Sequence, residues 1–64
     1  MLIDGNKLLK ERTKKNLDRM QIGTFLGVTY QRVAQLEKPG KHNINDFVFA
    51  ALATRLEVKP EDLQ

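Results

Sequence analysis

The chain has 64 residues, a formal net charge of +3, no cysteine and one histidine. This length supports one small domain, and without cysteine the chain has neither disulfides nor thiolate ligands for a structural zinc ion. No apolar run approaches the roughly 20 residues of a membrane-spanning helix, so we expect a cytoplasmic protein with no membrane association. We also expect no metal, no cofactor and no small-molecule substrate.

A recurring local pattern marks the helix starts in chain order. At each start an apolar residue precedes a polar cap residue, and a second apolar residue follows four positions after the cap. This is the hydrophobic staple around a helix N-cap, where the cap side chain accepts hydrogen bonds from free backbone N–H groups. The caps are Asp4, Asp18, Thr29 and Asn45, with a weaker fifth case at Lys59 before Pro60. The pattern predicts five short helices, over residues 5–15, 19–26, 30–38, 46–56 and 60–63.

The apolar residues between these starts recur at helical spacing, and no segment alternates long enough to predict a strand. Asn16 and Gly27 stand where the first two helices would end in a left-handed residue. The sequence therefore predicts an all-α fold, a compact five-helix bundle that forms a single domain over residues 1–64. The residues expected in its core are Leu8, Ile22, Phe25, Leu26, Val33, Leu36, Phe49, Leu52, Ala53 and Leu56. Leu9 is expected at its edge, and Val28, Ile44 and Val58 are expected to pack in the loops.

The stretch from Asp18 to Gly40 has the pattern of a helix-turn-helix. One helix leads into the three-residue turn Gly27-Val28-Thr29, and a second helix follows directly. Gly23 lies on the inward side of the first of these helices and suits close approach by another helix. Val28 is an apolar residue within the turn. This combination is typical of the helix-turn-helix that binds DNA.

Over Leu17–Glu37 the sequence resembles the Cro/repressor-type helix-turn-helix family, also called the xenobiotic-response-element family. The residues from Ile44 to Val58 resemble that family's fourth helix, so the resemblance covers nearly the whole chain. It implies a lambda-repressor-like fold with the helix-turn-helix at helices two and three. It also implies a transcriptional repressor that binds a palindromic operator in double-stranded DNA as a homodimer, with helix three in the major groove.

The outward face of the third helix is predicted to read bases. Its apolar residues lie on one side, and the opposite side is rich in amides and lacks acidic residues. Glutamine pairs bidentately with adenine, and arginine with guanine, in the major groove. We expect base contacts from Tyr30, Gln31, Arg32 and Gln35. The alternatives are a solvated face for the glutamines, a phosphate contact for Arg32, and either a phosphate contact or packing for Tyr30.

Residues around this helix are predicted to contact the DNA backbone. The family resemblance implies phosphate contacts from Arg19, at the start of helix two, and Lys38, at the end of helix three. The full set of expected phosphate contacts is Arg19, Thr29, Lys38, Lys41, His42 and Asn43. Residues 1–42 carry nine Lys or Arg against four Asp or Glu, whereas residues 43–64 carry two against four. The basic part therefore suits a polyanion, although a solvated basic helix is the alternative.

The family resemblance also implies an ion pair between Arg12 and Glu37. The pair either has a purely structural role or also aims Arg12 at a phosphate. The chain departs from the family pattern at Arg19, where many members have glutamine, and at Gly23, where alanine is usual. The arginine keeps affinity for phosphate but leaves open whether it braces the recognition helix.

Phe47 and Val48, near the start of the fourth helix, and Pro60 are candidate dimer contacts, with packing under the fifth helix as the alternative. Among regulators of this type, a small phage Cro-like repressor is the first choice, and two other roles stay open on the same scaffold. One is a restriction–modification controller protein, and the other is an antitoxin-like module that holds a protein partner. An enzyme is the weakest reading, because the sequence has no nucleophile–base pair at a recognisable spacing.

Overall fold

A computed structural model describes every residue from 1 to 64. In chain order it contains strand β1 (Leu2–Asp4), helices α1 (Gly5–Lys14), α2 (Arg19–Leu26) and α3 (Tyr30–Leu36), strand β2 (Lys41–Asn43), helix α4 (Asp46–Leu56) and a 3-10 turn (Pro60–Asp62). The four α-helices begin at the predicted residues and end within two residues of the predicted ends. Their starts agree because each is set by a local cap.

All four predicted cap side chains accept a hydrogen bond from a backbone N–H of the first turn of their helix. These bonds satisfy donors that have no partner within the helix. The cap of α2 is reciprocal, because Gln21 Oε1 also accepts from the backbone N–H of Asp18 at 2.9 Å. The N–H donors and their acceptors are Lys7 to Asp4, Gln21 to Asp18, Arg32 to Thr29, and Phe47 to Asn45.

The prediction of a strictly all-α fold is wrong, because β1 and β2 form a small antiparallel sheet. The register pairs Leu2 with Asn43, Ile3 with His42, and Asp4 with Lys41. Each strand has three residues, too few for a period-two pattern to stand out in the sequence. The sheet joins residues about 40 positions apart, and it buries the side chain of Ile3 completely.

The prediction of a fifth helix is also wrong, since residues Pro60–Asp62 form a single 3-10 turn. Lys59 has no side-chain oxygen and makes no cap bond from its side chain. Asp62 Oδ2 instead accepts from the backbone N–H of Lys59 at 3.0 Å. The turn is enough to bring Leu63 into the core, where its side chain is fully buried. Helix α3 ends at Leu36, two residues before the predicted end.

One hydrophobic core joins the four α-helices and strand β1. It contains eight of the ten helix residues predicted for it, while Leu26 is partly buried against it. The prediction for Phe25 is wrong, because its side chain is 49% exposed. Ile44, predicted to pack in a loop, belongs to the core, and Ile3 and Leu63 are additional members. Gly5 is buried where α1 begins, and a Cβ there would overlap the backbone carbonyl of Lys38. This contact holds the start of α1 directly against the chain that leaves α3. None of the helices combines the length and apolar character of a membrane span.

Candidate nucleic-acid interface

Helices α2 and α3 meet through a tight turn of three residues. Gly27 ends α2 with a positive φ of 73°, which favours glycine, and Val28 N donates to Gly23 O at 2.9 Å. A Cβ on Gly23 would lie 2.8 Å from Val28 O. Gly23 therefore allows the turn to pass directly over α2. The result is a helix-turn-helix with α3 as its second helix.

Helix α3 presents one polar face to solvent. Val33 and Leu36 anchor its inner side in the core, while Gln31, Arg32 and Gln35 are exposed. The exposed face has no acidic side chain and no competing hydrogen bond from the side chains of Gln31 or Gln35. The structure thus brings the predicted base-reading residues together on one accessible surface.

The far end of α3 is braced by a buried carboxylate. Glu37 caps the C-terminus of α3 and its side chain is 1% exposed. Arg12 of α1 forms an ion pair with this carboxylate. Its Nε donates to Oε2, and its Nη2 donates to Oε1 at 3.1 Å. Arg19 of α2 adds a second pair, Nε to Oε1, at 2.8 Å. One carboxylate therefore joins three helices, and two guanidinium groups share its single negative charge.

The second arginine also reaches the start of α3. Arg19 Nη1 donates to Tyr30 Oη at 3.4 Å, and its guanidinium carbon lies 5.8 Å from the centre of the Tyr30 ring. The hydrogen bond to Glu37, followed by that to Tyr30, raises the pKa of Arg19 above its usual value. Arg19 stays one-third exposed, so its outer face remains open to a further anion. The family resemblance implied only Arg12 as the partner of Glu37 and left open whether Arg19 braces α3; in the structure Arg19 contacts the same carboxylate.

The predicted phosphate residues after α3 take part in contacts within the chain. His42 Nε2 lies 2.7 Å from Lys38 O, just after the end of α3. Lys41 Nζ lies 3.5 Å from Asp4 Oδ2 and also contacts the backbone carbonyl of Gln64. Asn43 Oδ1 accepts from the Met1 amine at 3.2 Å. These side chains hold the sheet in place, and their phosphate contacts stay predictions.

The remaining predicted residues differ in exposure. Thr29 uses its hydroxyl to cap α3, accepting from Arg32 N at 3.1 Å. Phe47 is 82% exposed, the largest exposed fraction among the big apolar side chains, whereas Val48 is half-buried and Pro60 is exposed. No three His, Cys, Asp or Glu side chains gather as they would around a metal ion.

One comparison, with solved structures, supports this architecture. The structure is similar to that of the restriction-modification controller protein C.AhdI from Aeromonas hydrophila, with a TM-score of 0.77 and 28% sequence identity. The similarity covers 94% of this chain and 89% of that chain, so it extends over the whole fold. No protein-family model matches the chain, and the comparison with curated proteins gives no match.

Proposed function

We propose that the chain is a sequence-specific regulator of transcription that binds double-stranded DNA. The observation that carries this proposal is the exposed amide face of α3, braced from below by Glu37 and its two arginines. An α-helix fits the major groove of B-DNA, and glutamine matches the N6 and N7 pattern of adenine there. Gln31 and Gln35 are the base readers in this proposal, with Tyr30 beside them.

Contacts to the DNA backbone orient the protein on its site. The two arginines around Glu37 leave one net positive charge where α2 begins, and the open face of Arg19 suits a phosphate oxygen. Lys38, the residue after Glu37, supplies a second exposed cation at the C-terminal end of α3. Both cations lie beside the polar face of α3, where phosphate oxygens of the DNA backbone would approach.

The regulator binds as a homodimer to a palindromic operator, with two recognition helices in successive major grooves. A small chain buries too little surface to give high affinity from one half-site, so the second copy supplies the rest. Repression follows from occlusion of a promoter. This role belongs in the cytoplasm of a bacterium, and the protein has no catalytic activity of its own.

A restriction–modification controller is the more specific role that the comparison favours. The support is the similarity to C.AhdI over nearly the whole length of both chains. A phage Cro-like repressor rests on the sequence resemblance alone and is the second candidate. The two roles differ in the operator, since a controller acts on the genes of a restriction–modification system.

Selection of bound sequences from random double-stranded DNA tests the proposal. The purified protein should enrich a single motif with two inverted half-sites, and the position of that motif in the genome identifies the regulated genes. Gln64→Ala, which removes an exposed amide outside the helix-turn-helix, should enrich the same motif. A pool that shows no enrichment after several rounds would contradict DNA reading and favour a protein partner.

A further inference from the structure

A small apolar pocket lies where α2, α3 and α4 meet. Its volume is about 130 Å³. Five apolar residues line it, together with two exposed polar residues, Arg32 and Asn45. The apolar residues are Leu26, Val28, Leu36, Ile44 and Val48. An apolar cavity of about 150 Å³ is known to hold one benzene molecule, so this pocket suits a single aromatic ring.

The chain presents such a ring beside the pocket. Phe47 is 82% exposed, and it precedes Val48, which lines the pocket. Removing so exposed a ring from water is favourable, so an assembly that covers the Phe47 side chain would be stabilised by its burial. A projecting ring and a pocket on one patch meet the requirement of a two-fold contact, in which each copy offers the same surface to the other.

Two charged side chains beside the pocket, Asp46 and Arg32, are of opposite sign and also suit a two-fold contact. Asp46 precedes Phe47, and its side chain is 86% exposed. The partner's Asp46 would arrive together with the partner's Phe47, next to the exposed guanidinium of Arg32. The Asp46 carboxylate also lies 3.2 Å from the Met1 amine, and its large exposure leaves it accessible to a second cation.

We propose that a second copy of this chain fills the pocket, with the ring of Phe47 from each copy seated in the pocket of the other. Asp46 of each copy pairs with Arg32 of the other at the edge of the pocket. The proposal rests on the homodimer of the proposed function and names its contacts. Arg32 is then a dimer contact, not a base reader, and it connects the interface directly to α3.

Sedimentation of the protein without DNA tests whether the ring of Phe47 stabilises the dimer. Phe47→Ala should raise the dissociation constant of the dimer about 100-fold, because each dimer loses two anchors of about tenfold each. Met20→Ala is the matched control, since Met20 is 67% exposed and lies on α2 outside the pocket. A wild-type chain that remains monomeric at the highest soluble concentration, or a Phe47→Ala dimer of unchanged affinity, overturns the proposal.

Charge reversal tests the reciprocal geometry. Asp46→Arg and Arg32→Asp should each weaken the homodimer, because two like charges meet at both ends of the interface. An equimolar mixture should recover dimers, since one end of the mixed dimer keeps the native pair and the other has the reversed pair. Arg32 lies in the first turn of α3, where an aspartate suits the helix dipole. A mixture that stays monomeric overturns the reciprocal contact.

The dimer assay and the DNA assay separate the two proposals. Glu61→Arg reverses another exposed acid and should leave the dimer unchanged. If Phe47→Ala weakens the dimer but the wild-type protein selects no DNA motif, the contact stands and DNA reading fails. If the protein selects DNA while Phe47→Ala dimerises normally, the function stands and this interface is wrong.

Discussion

Arg19 donates through Nε to Glu37 Oε1 at 2.8 Å and so ties the first turn of α2 to the end of α3. The same carboxylate receives Arg12 from α1. A helix-turn-helix must keep its second helix at a defined angle for base edges to be read. Here a buried carboxylate shared by two arginines, added to the apolar contacts of α3, holds that angle.

Removing the shared carboxylate should destabilise the protein strongly. Glu37→Gln leaves two guanidinium groups facing an amide, and breaking a buried pair on one side costs about 3–5 kcal/mol. The whole free energy of unfolding of a 64-residue domain is about 3–10 kcal/mol. Urea unfolding followed by circular dichroism should therefore show a large drop in the midpoint. Glu61→Gln changes an exposed acid, and a Glu37→Gln midpoint equal to that control would contradict the role of the shared carboxylate.

Adding one methyl group at Gly23 should also destabilise the fold. The new Cβ would lie 2.8 Å from Val28 O, a backbone atom that moves only if the turn moves. Overpacking of this kind costs about 1–3 kcal/mol and outweighs the gain of about 1 kcal/mol in helix propensity. Thr24→Ala, at the next position and exposed, should not destabilise the chain. Thermal unfolding compares the two, and a more stable Gly23→Ala protein would show that the turn yields readily.

Truncation of Gln31 should relax DNA specificity at one base position in each half-site. The loss of a bidentate contact to adenine costs about 1–3 kcal/mol of discrimination. The free energy of unfolding should stay close to that of the wild type because the side chain is exposed and makes no contact that the fold uses. Selection from random DNA with wild-type and Gln31→Ala proteins measures the change. An identical motif from both proteins would exclude Gln31 as a base reader.

DNA affinity should fall steeply with salt. Contacts to phosphates release counterions, so the logarithm of the binding constant decreases linearly with the logarithm of the salt concentration. Lys38→Ala should weaken binding to all sequences alike and reduce that slope by about 1. Titrations followed by fluorescence anisotropy across about 50–200 mM salt give both slopes. Lys10→Ala, which removes an exposed lysine of α1, is the control. A DNA affinity of the wild type that does not change with salt would favour a protein partner.

Acid should weaken the cap of α1. The backbone N–H of Lys7, and then the charge of Lys41, hold the pKa of Asp4 below its usual value of 3.8. A lowered folded-state pKa contributes stability that is present above the unfolded pKa and is lost as pH falls through the folded pKa. Asp4→Asn keeps a cap but has no charge to titrate. Below about pH 4 the stability gap between wild type and Asp4→Asn should narrow, and a gap independent of pH would exclude Asp4 from the acid response.

Much of the fold is predictable from short stretches of sequence. The caps at Asp4, Asp18, Thr29 and Asn45 predict where the four helices begin, because each cap bond spans only two or three residues. The helical spacing also predicts most of the core. The sheet is not predictable in this way, since Ile3 and His42 lie 39 positions apart and no local pattern pairs them.

The candidate interface likewise has features that were predicted from the sequence and features that only the structure shows. The sequence by itself determined the amide face of α3, because residue types and helical period are local properties. The pairing of Glu37 with Arg12 was implied only by the family resemblance, since these residues lie on different helices and 25 positions apart. Only the tertiary structure decided that Arg19 shares that carboxylate and that an apolar pocket opens beside Phe47. Both depend on side chains from three helices meeting at one point. Packing of the whole chain sets such distances, and no local period encodes them.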